Sequence, residues 1–168
     1  MDETATPNAA VTIRPATPAD SGAIRRLVRA LADFERLPPP DEAAQARLLA
    51  DAFGPRRRFE IFLAEVARQV VAYAFVFETY STFLALPTLY LEDLFVLPEY
   101  RGQRIGYALM QFCAREAVRR GCGRLDWAVL DWNTHAIAFY DRLGGRPLAD
   151  WRLYRLDGAA LAALGGAG

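Results

Sequence analysis

The sequence predicts a single-domain mixed α/β fold, and three observations carry that prediction. Two apolar, β-branched runs in the first half flank a short turn; strand-like and helical runs alternate in the second half; and capping residues fall where the hydrophobic period changes. The order read from these signals is strand, two helices, a hairpin, a further strand, then helix, strand, helix and strand.

Each element has its own local cause. After a short strand at Val11 to Arg14, Thr17-Pro18-Ala19-Asp20 offers a cap, a first-turn proline and an acidic third residue, which opens a helix running to about Glu35. Ile24, Leu27, Val28, Leu31 and Phe34 recur at helical spacing, and Pro38-Pro39-Pro40 stops any continuation. A second helix is expected over Asp41 to Phe53. Phe59 to Glu65 and Val70 to Phe77 flank Ala67-Arg68-Gln69 and read as an antiparallel hairpin. Leu89 to Leu97 is the next strand, preceded by a loop at Tyr80 to Pro87. Ile105 to Arg120 places Ile105, Ala108, Leu109, Phe112, Cys113 and Ala117 on one stripe before Gly121. Arg124 to Leu130 reads as a strand, Asn133 to Leu143 as a helix, and Trp151 to Leu156 as a final strand.

Composition narrows the function classes. Twenty basic residues balance twenty acidic ones; all twenty are Arg and dispersed, so nothing argues for general attraction to nucleic acid or an anionic membrane. Arg56-Arg57-Arg58 reads as a solvated turn before a strand. No apolar run approaches the roughly twenty residues of a membrane span, and a cytoplasmic location is expected. Cys113 and Cys122 lack partners at metal spacing and read as packing residues, and no metal site is expected. Low-complexity composition is confined to residues 1–10 and 165–168, expected as flexible ends around a domain at 11–164.

The most informative stretch runs from Leu89 to Gly106, where an apolar strand empties into Arg101-Gly-Gln-Arg-Ile-Gly106 and a helix opens. A helix start leaves backbone N–H groups without partners and carries about half a positive charge, so this turn is a cradle for phosphate. Gly102 and Gly106 keep the backbone bare, and Arg101 and Arg104 add charged donors. The turn resembles the coenzyme A pyrophosphate loop of the GNAT acetyltransferase superfamily, whose pattern is Gln/Arg-x-x-Gly-x-Gly/Ala. The sequence departs from it at Arg104, which stands at the first glycine, can keep ordinary helical dihedrals, and brings a Cβ close to the diphosphate.

Leu125 to Gly144 resembles the strand and helix that follow this loop in the superfamily. Tyr90-Leu-Glu-Asp-Leu-Phe-Val96, Tyr80-Ser-Thr-Phe83 and Ile13 to Asp20 resemble its diamine and thialysine branch, which includes the spermidine/spermine type. The resemblance covers about residues 11 to 157. It implies a mostly antiparallel central sheet of six to seven strands flanked by about four helices. It implies acetyl-CoA at Leu94, Phe95, Val96, Arg101, Gly102, Gln103, Arg104, Ile105, Gly106, Tyr107, Asn133, Ala136 and Tyr140.

The resemblance further implies that Tyr140 protonates the departing thiolate and that Glu92 contacts the acceptor amine and relays its proton. Phe34, Glu35 and Asp93 are expected at the acceptor end, although Glu35 also reads as a solvated helix-end carboxylate. Strand alternation predicts that only one of Glu92 and Asp93 faces the cleft. Asn133 and Tyr140 are seven residues apart, so both should project from one helix face; the alternative for them is a helix cap and a half-buried core tyrosine. His135, the sole histidine, falls beside the expected cofactor arm and away from the amine.

The expected activity is N-acetylation of a small amine such as thialysine, a diamine or a polyamine. Long polyamines are disfavoured because Tyr80 to Pro87 holds no acid. Acetylation of protein lysines or N-termini, and a non-catalytic acetyl-CoA sensor, are the alternatives. The branch resemblance also implies a homodimer with contacts around Trp151.

Overall fold

A computed structural model describes residues 10–166, in two compact units divided after Ala128. The expected terminal tails lie outside the described residues, apart from residue 10 and residues 165–166.

The first unit is a five-stranded sheet in the order β1 (Thr12–Pro15), β2 (Glu60–Val66), β3 (Gln69–Ser81), β4 (Leu86–Val96), β5 (Arg124–Trp127). All pairings are antiparallel except β4 with β5, which is parallel. Three helices accompany it: α1 (Ser21–Glu35), α2 (Glu42–Phe53) and α3 (Ile105–Arg119). The second unit holds α4 (Thr134–Arg142) and α5 (Gly158–Leu164).

Residues 70–76 of β3 are buried throughout, which explains why that strand reads as a continuous apolar run and not as an alternation. Leu63, Val71 and Leu89 of the sheet, Ile24 and Leu27 of α1, and Ile105 and Leu109 of α3 are fully buried and form the core. Phe62 of β2 meets Phe112 of α3 at 4.8 Å between ring centroids. Ahead of α1, Asp20 accepts from the Thr17 N–H at 2.8 Å, the expected cap, and takes a bidentate hydrogen bond from Arg14 of β1. That guanidinium holds the Asp20 carboxyl well below the usual range.

Four expectations are corrected. Ala67 and Arg68 both take positive φ (50° and 66°) and close the β2–β3 hairpin as a two-residue turn, which tightens it by one residue. Residues 80–81 and 86–87, read as loop, extend β3 and β4 together with residues 78, 79 and 88, because their backbones pair in register from Glu78↔Leu89 to Ser81↔Leu86, with Ser81 and Thr88 buried. β5 stops at Trp127 and not at Leu130, since its ladder with β4 ends at Leu91↔Trp127. Trp151 to Leu156 forms no strand: its backbone finds no ladder partner among the described residues, and Trp151, Leu153 and Tyr154 are 76%, 84% and 85% exposed. The sheet therefore has five strands and not six or seven, and α5 is a fifth helix that the periodicity did not announce. No described helix is long and apolar enough to cross a membrane.

Candidate functional site

Two features of the first unit converge on β4. The first is a β-bulge. Val76 pairs with Leu91 while its neighbour Phe75 pairs with Asp93, so Glu92 is an extra residue on β4. A bulge cancels the alternation of faces at that point. Glu92 and Asp93 consequently line the same cavity, of about 450 Å³, where simple alternation predicted only one carboxylate.

Val28 of α1, Leu48 of α2, Phe59, and Phe75 and Phe77 of β3 give the cavity an apolar wall. Arg58 completes it, so one of the three arginines read as a solvated turn belongs to the cavity. Its Nε donates to Asp51 Oδ1 at 3.0 Å.

The bulge also bends β4 and interrupts its ladder. Beyond Leu91 the pairing with β5 ends while β4 continues to Val96, still paired with β3. The backbone groups of residues 92–96 that point away from β3 therefore have no strand partner, as a ligand's amides require.

Asp93 is half-buried, and its carboxyl is pushed up to about 6, first by burial and then by the negative charges of Glu92 and Glu35. Burial raises Glu35 as well. Tyr73 of β3, fully buried, was not read from the sequence as a site residue. Its ring lies 4.8 Å from Phe75 and 6.3 Å from Phe95, and its hydroxyl has no hydrogen-bond partner among the described residues. Burial first, then the negative charges of Asp93 and Glu35, hold that hydroxyl well above the usual phenol range. An aromatic on an apolar strand reads as packing, so only the partnerless hydroxyl marks it.

The second feature is the turn after β4. Pro98–Tyr100 forms a 3₁₀ turn, Gly102 takes φ 77°, and Arg104 caps α3 in the left-handed region at φ 61°, ψ 14°. Arg104 does not take the helical dihedrals open to it: the turn demands the conformation glycine adopts freely, and this arginine adopts it at a cost of about 1–2 kcal/mol. Arg104→Gly is expected to raise stability in urea unfolding by about 0.5–1 kcal/mol, because relief of that cost exceeds the extra freedom of glycine in the unfolded chain. Arg104→Ala, which keeps the Cβ, should bring no such gain.

No side chain caps α3, and Ala108 is the first N–H to find an acceptor, the Arg104 carbonyl at 3.0 Å. The N–H groups of residues 102–107 meet no acceptor among the described residues, which makes this turn the anion cradle that its glycines suggested. Gly102, Gln103, Arg104 and Tyr107 are exposed, whereas Ile105 buries its side chain and offers its N–H alone.

Arg101 behaves otherwise than the sequence suggested. Its Nε donates to the Val96 carbonyl at 3.0 Å, and its guanidinium lies 4.7 Å from the Phe34 centroid and 5.5 Å from that of Phe95. It clasps the end of α1 to the end of β4. Phe34, Glu35, Tyr73, Asp93, Phe95 and Arg101 are thereby brought into one neighbourhood. Leu94 and Val96 are half-buried on the same stretch of β4.

In the second unit, Asn133 accepts from the Ala136 N–H at 3.2 Å and caps α4, as its alternative reading had it. Tyr140 lies on α4, 5.2 Å from Phe139 between ring centroids, and burial raises its phenol, which is therefore protonated at neutral pH. His135 is exposed in the first turn of α4. Among the described residues no group of three or more His, Cys, Asp and Glu side chains could hold a metal ion.

Known proteins resemble the chain over nearly its whole length. It is 37% identical over 167 residues to a thialysine N-epsilon-acetyltransferase of Bos taurus, covering 93% of this chain and 98% of that one. It is 32% identical to an L-ornithine N5-acetyltransferase of Arabidopsis thaliana, over 90% of this chain and 86% of the relative. Among solved structures, an integron cassette protein from the mobile metagenome of V. cholerae superposes with a TM-score of 0.78 at 25% identity, over 92% of this chain and 97% of that one. The acetyltransferase (GNAT) family profile matches residues 23–145, and the chain belongs to that family.

Proposed function

We propose that this protein transfers the acetyl group of acetyl-CoA to a primary amine of a small molecule of the thialysine or short-diamine type. The observation that carries the reading is the bulge at Glu92, which brings two carboxylates into one largely apolar cavity of about 450 Å³. The acetyltransferase names of the bovine and Arabidopsis relatives support it. So does the absence of acid from residues 80–87, since a long polyamine carries several ammonium groups that need several carboxylates.

The residues of the turn fit a diphosphate: six consecutive residues with unengaged N–H groups open a helix, and Arg104 adds a cation. When bound, acetyl-CoA supplies an electrophilic thioester carbonyl and a thiolate leaving group. The backbone of residues 92–95 on the side without a strand partner orients the cofactor arm, and N–H groups near Leu94 to Val96 polarise the carbonyl.

A free alkylamine with a pKa of about 10.4 is neutral only about once in 2,500 molecules at pH 7, a cost of about 4.6 kcal/mol. Glu92 binds the ammonium and Asp93 accepts its proton, directly or through water. An acid range near 6 leaves Asp93 ionised at neutral pH yet far more basic than an ordinary aspartate. Tyr140 supplies the proton to the thiolate from Oη, a role that rests on its protonated phenol and its family position. Direct attack needs no covalent enzyme intermediate.

Thiol release from acetyl-CoA tests the proposal, with thialysine, ornithine, putrescine, spermidine and a lysine peptide as acceptors and mass spectrometry of the products. Acetylated small amines, made faster than acetylated peptide, are expected. Binding of acetyl-CoA without transfer to any acceptor would instead mark a sensor.

A homodimer belongs to the same reading, supported by exposed Trp151, Leu153 and Tyr154. Light scattering should give twice the 18.7 kDa chain mass, and a monomer at micromolar concentration would count against it.

A further inference from the structure

We infer that Arg58 is the carboxylate receptor of the acceptor cavity, so that the preferred substrate is an amino acid bearing a terminal amine and not a diamine. The inference rests on the reading of that cavity as the acceptor site. A cavity built only for ammonium groups has no use for a guanidinium, which would repel the second amine of a diamine. Here the polar lining is mixed: Glu92 and Asp93 supply negative charge and Arg58 supplies the one positive charge. Phe59, Phe75 and Phe77 between them suit a run of methylenes. The ligand that complements all three features is a short aliphatic chain with an ammonium at one end and, at the other, a carboxylate that pairs with Arg58 and offsets the charge of the α-ammonium beside it.

The setting of Arg58 suits that task. Asp51 engages only its Nε, at 3.0 Å, which fixes the plane of the guanidinium. Both Nη groups have no partner among the described residues, and together they form an edge that matches a carboxylate. The competing account is a surface ion pair with Asp51, since Arg58 is 62% exposed; such a pair contributes little to stability and nothing to selectivity.

Selectivity therefore decides the matter. The experiment measures kcat/KM for two matched pairs, ornithine against putrescine and thialysine against its decarboxylated diamine, in the wild type and in Arg58→Gln, Arg58→Lys and Arg57→Gln. Each ratio is internal to one preparation, so a loss of folded protein cancels. Arg58→Gln is expected to lower the amino-acid-to-diamine ratio about 10–100-fold, mostly through KM, which is the worth of a charge-assisted bidentate contact. Arg58→Lys should recover part of it, and Arg57→Gln should leave the ratio as in the wild type. A ratio unchanged in Arg58→Gln, or lowered equally in Arg57→Gln, overturns the assignment while the acetyltransferase reading stands. A wild type that acetylates no amine overturns both.

Discussion

Tyr140→Phe is expected to lower kcat about 10²-fold or more while the KM for acetyl-CoA changes little. The substitution removes one oxygen and keeps the ring that packs 5.2 Å from Phe139. What it removes is a proton. Burial holds the phenol protonated across the neutral range, which suits a group that gives its proton to a thiolate as the carbon–sulfur bond breaks. A fall of 10² in rate corresponds to about 2.7 kcal/mol of transition-state stabilisation, and its appearance in kcat alone is the signature of an interaction made only in the transition state. Steady-state kinetics with saturating amine checks this. Turnover equal to the wild type removes Tyr140 from the chemistry, and a matching rise in KM reassigns it to binding.

Asp93→Asn carries the second large effect, and it acts in opposite directions on activity and on stability. The wild-type kcat/KM should fall as pH drops through about 6, because protonated Asp93 cannot accept the amine's proton. In Asp93→Asn the rate should be down about 10²-fold or more at pH 8 and that acid limb should vanish.

For stability the sign is reversed. The folded state holds the Asp93 proton more tightly than the unfolded chain, where the carboxyl returns to the ordinary value of 3.8, so its ionised form destabilises the fold above about pH 6. The destabilisation fades as pH falls from about 6 toward about 4. At pH 8 the asparagine variant should therefore be more stable by about 1–3 kcal/mol in denaturant unfolding, a stability gained at the expense of activity. Full activity with an unchanged pH profile would return the proton to Glu92 or to solvent.

The two large effects draw on residues that the sequence announced unequally. The turn at 101–106 was legible because glycine, arginine and a following helical stripe are all local signals, and the structure leaves the N–H groups of residues 102–107 open as those signals implied. The caps at Thr17 and Asn133 were legible for the same reason.

The bulge was not. A bulge is a property of two strands in register, and nothing within Tyr90 to Val96 says that Phe75 will pair with Asp93 after Val76 pairs with Leu91. Alternation thus gave one carboxylate where the cavity has two, and Asp93 was read only as part of the acceptor lining. Tyr73 and Arg58 escaped for a related reason. One sits in an apolar strand and the other in a basic turn, where packing and solvation are the ordinary explanations, and only the buried hydroxyl of the first and the cavity position of the second separate them from their neighbours.

The apolar pattern at Trp151 to Leu156 misled in the other direction. A strand needs a partner, and the periodicity of one segment cannot supply it. Arg104 shows the same limit at a single residue: its left-handed backbone is imposed by the turn and not by its own preference.

Calorimetric titration of the wild type with acetyl-CoA tests the central claim most directly, because the open N–H groups at the start of α3 have no role in this account without a diphosphate to bind. The account predicts saturable binding of one acetyl-CoA per chain, with a Kd between about 1 µM and 1 mM and displacement by free coenzyme A. No heat and no displacement at millimolar acetyl-CoA would contradict it.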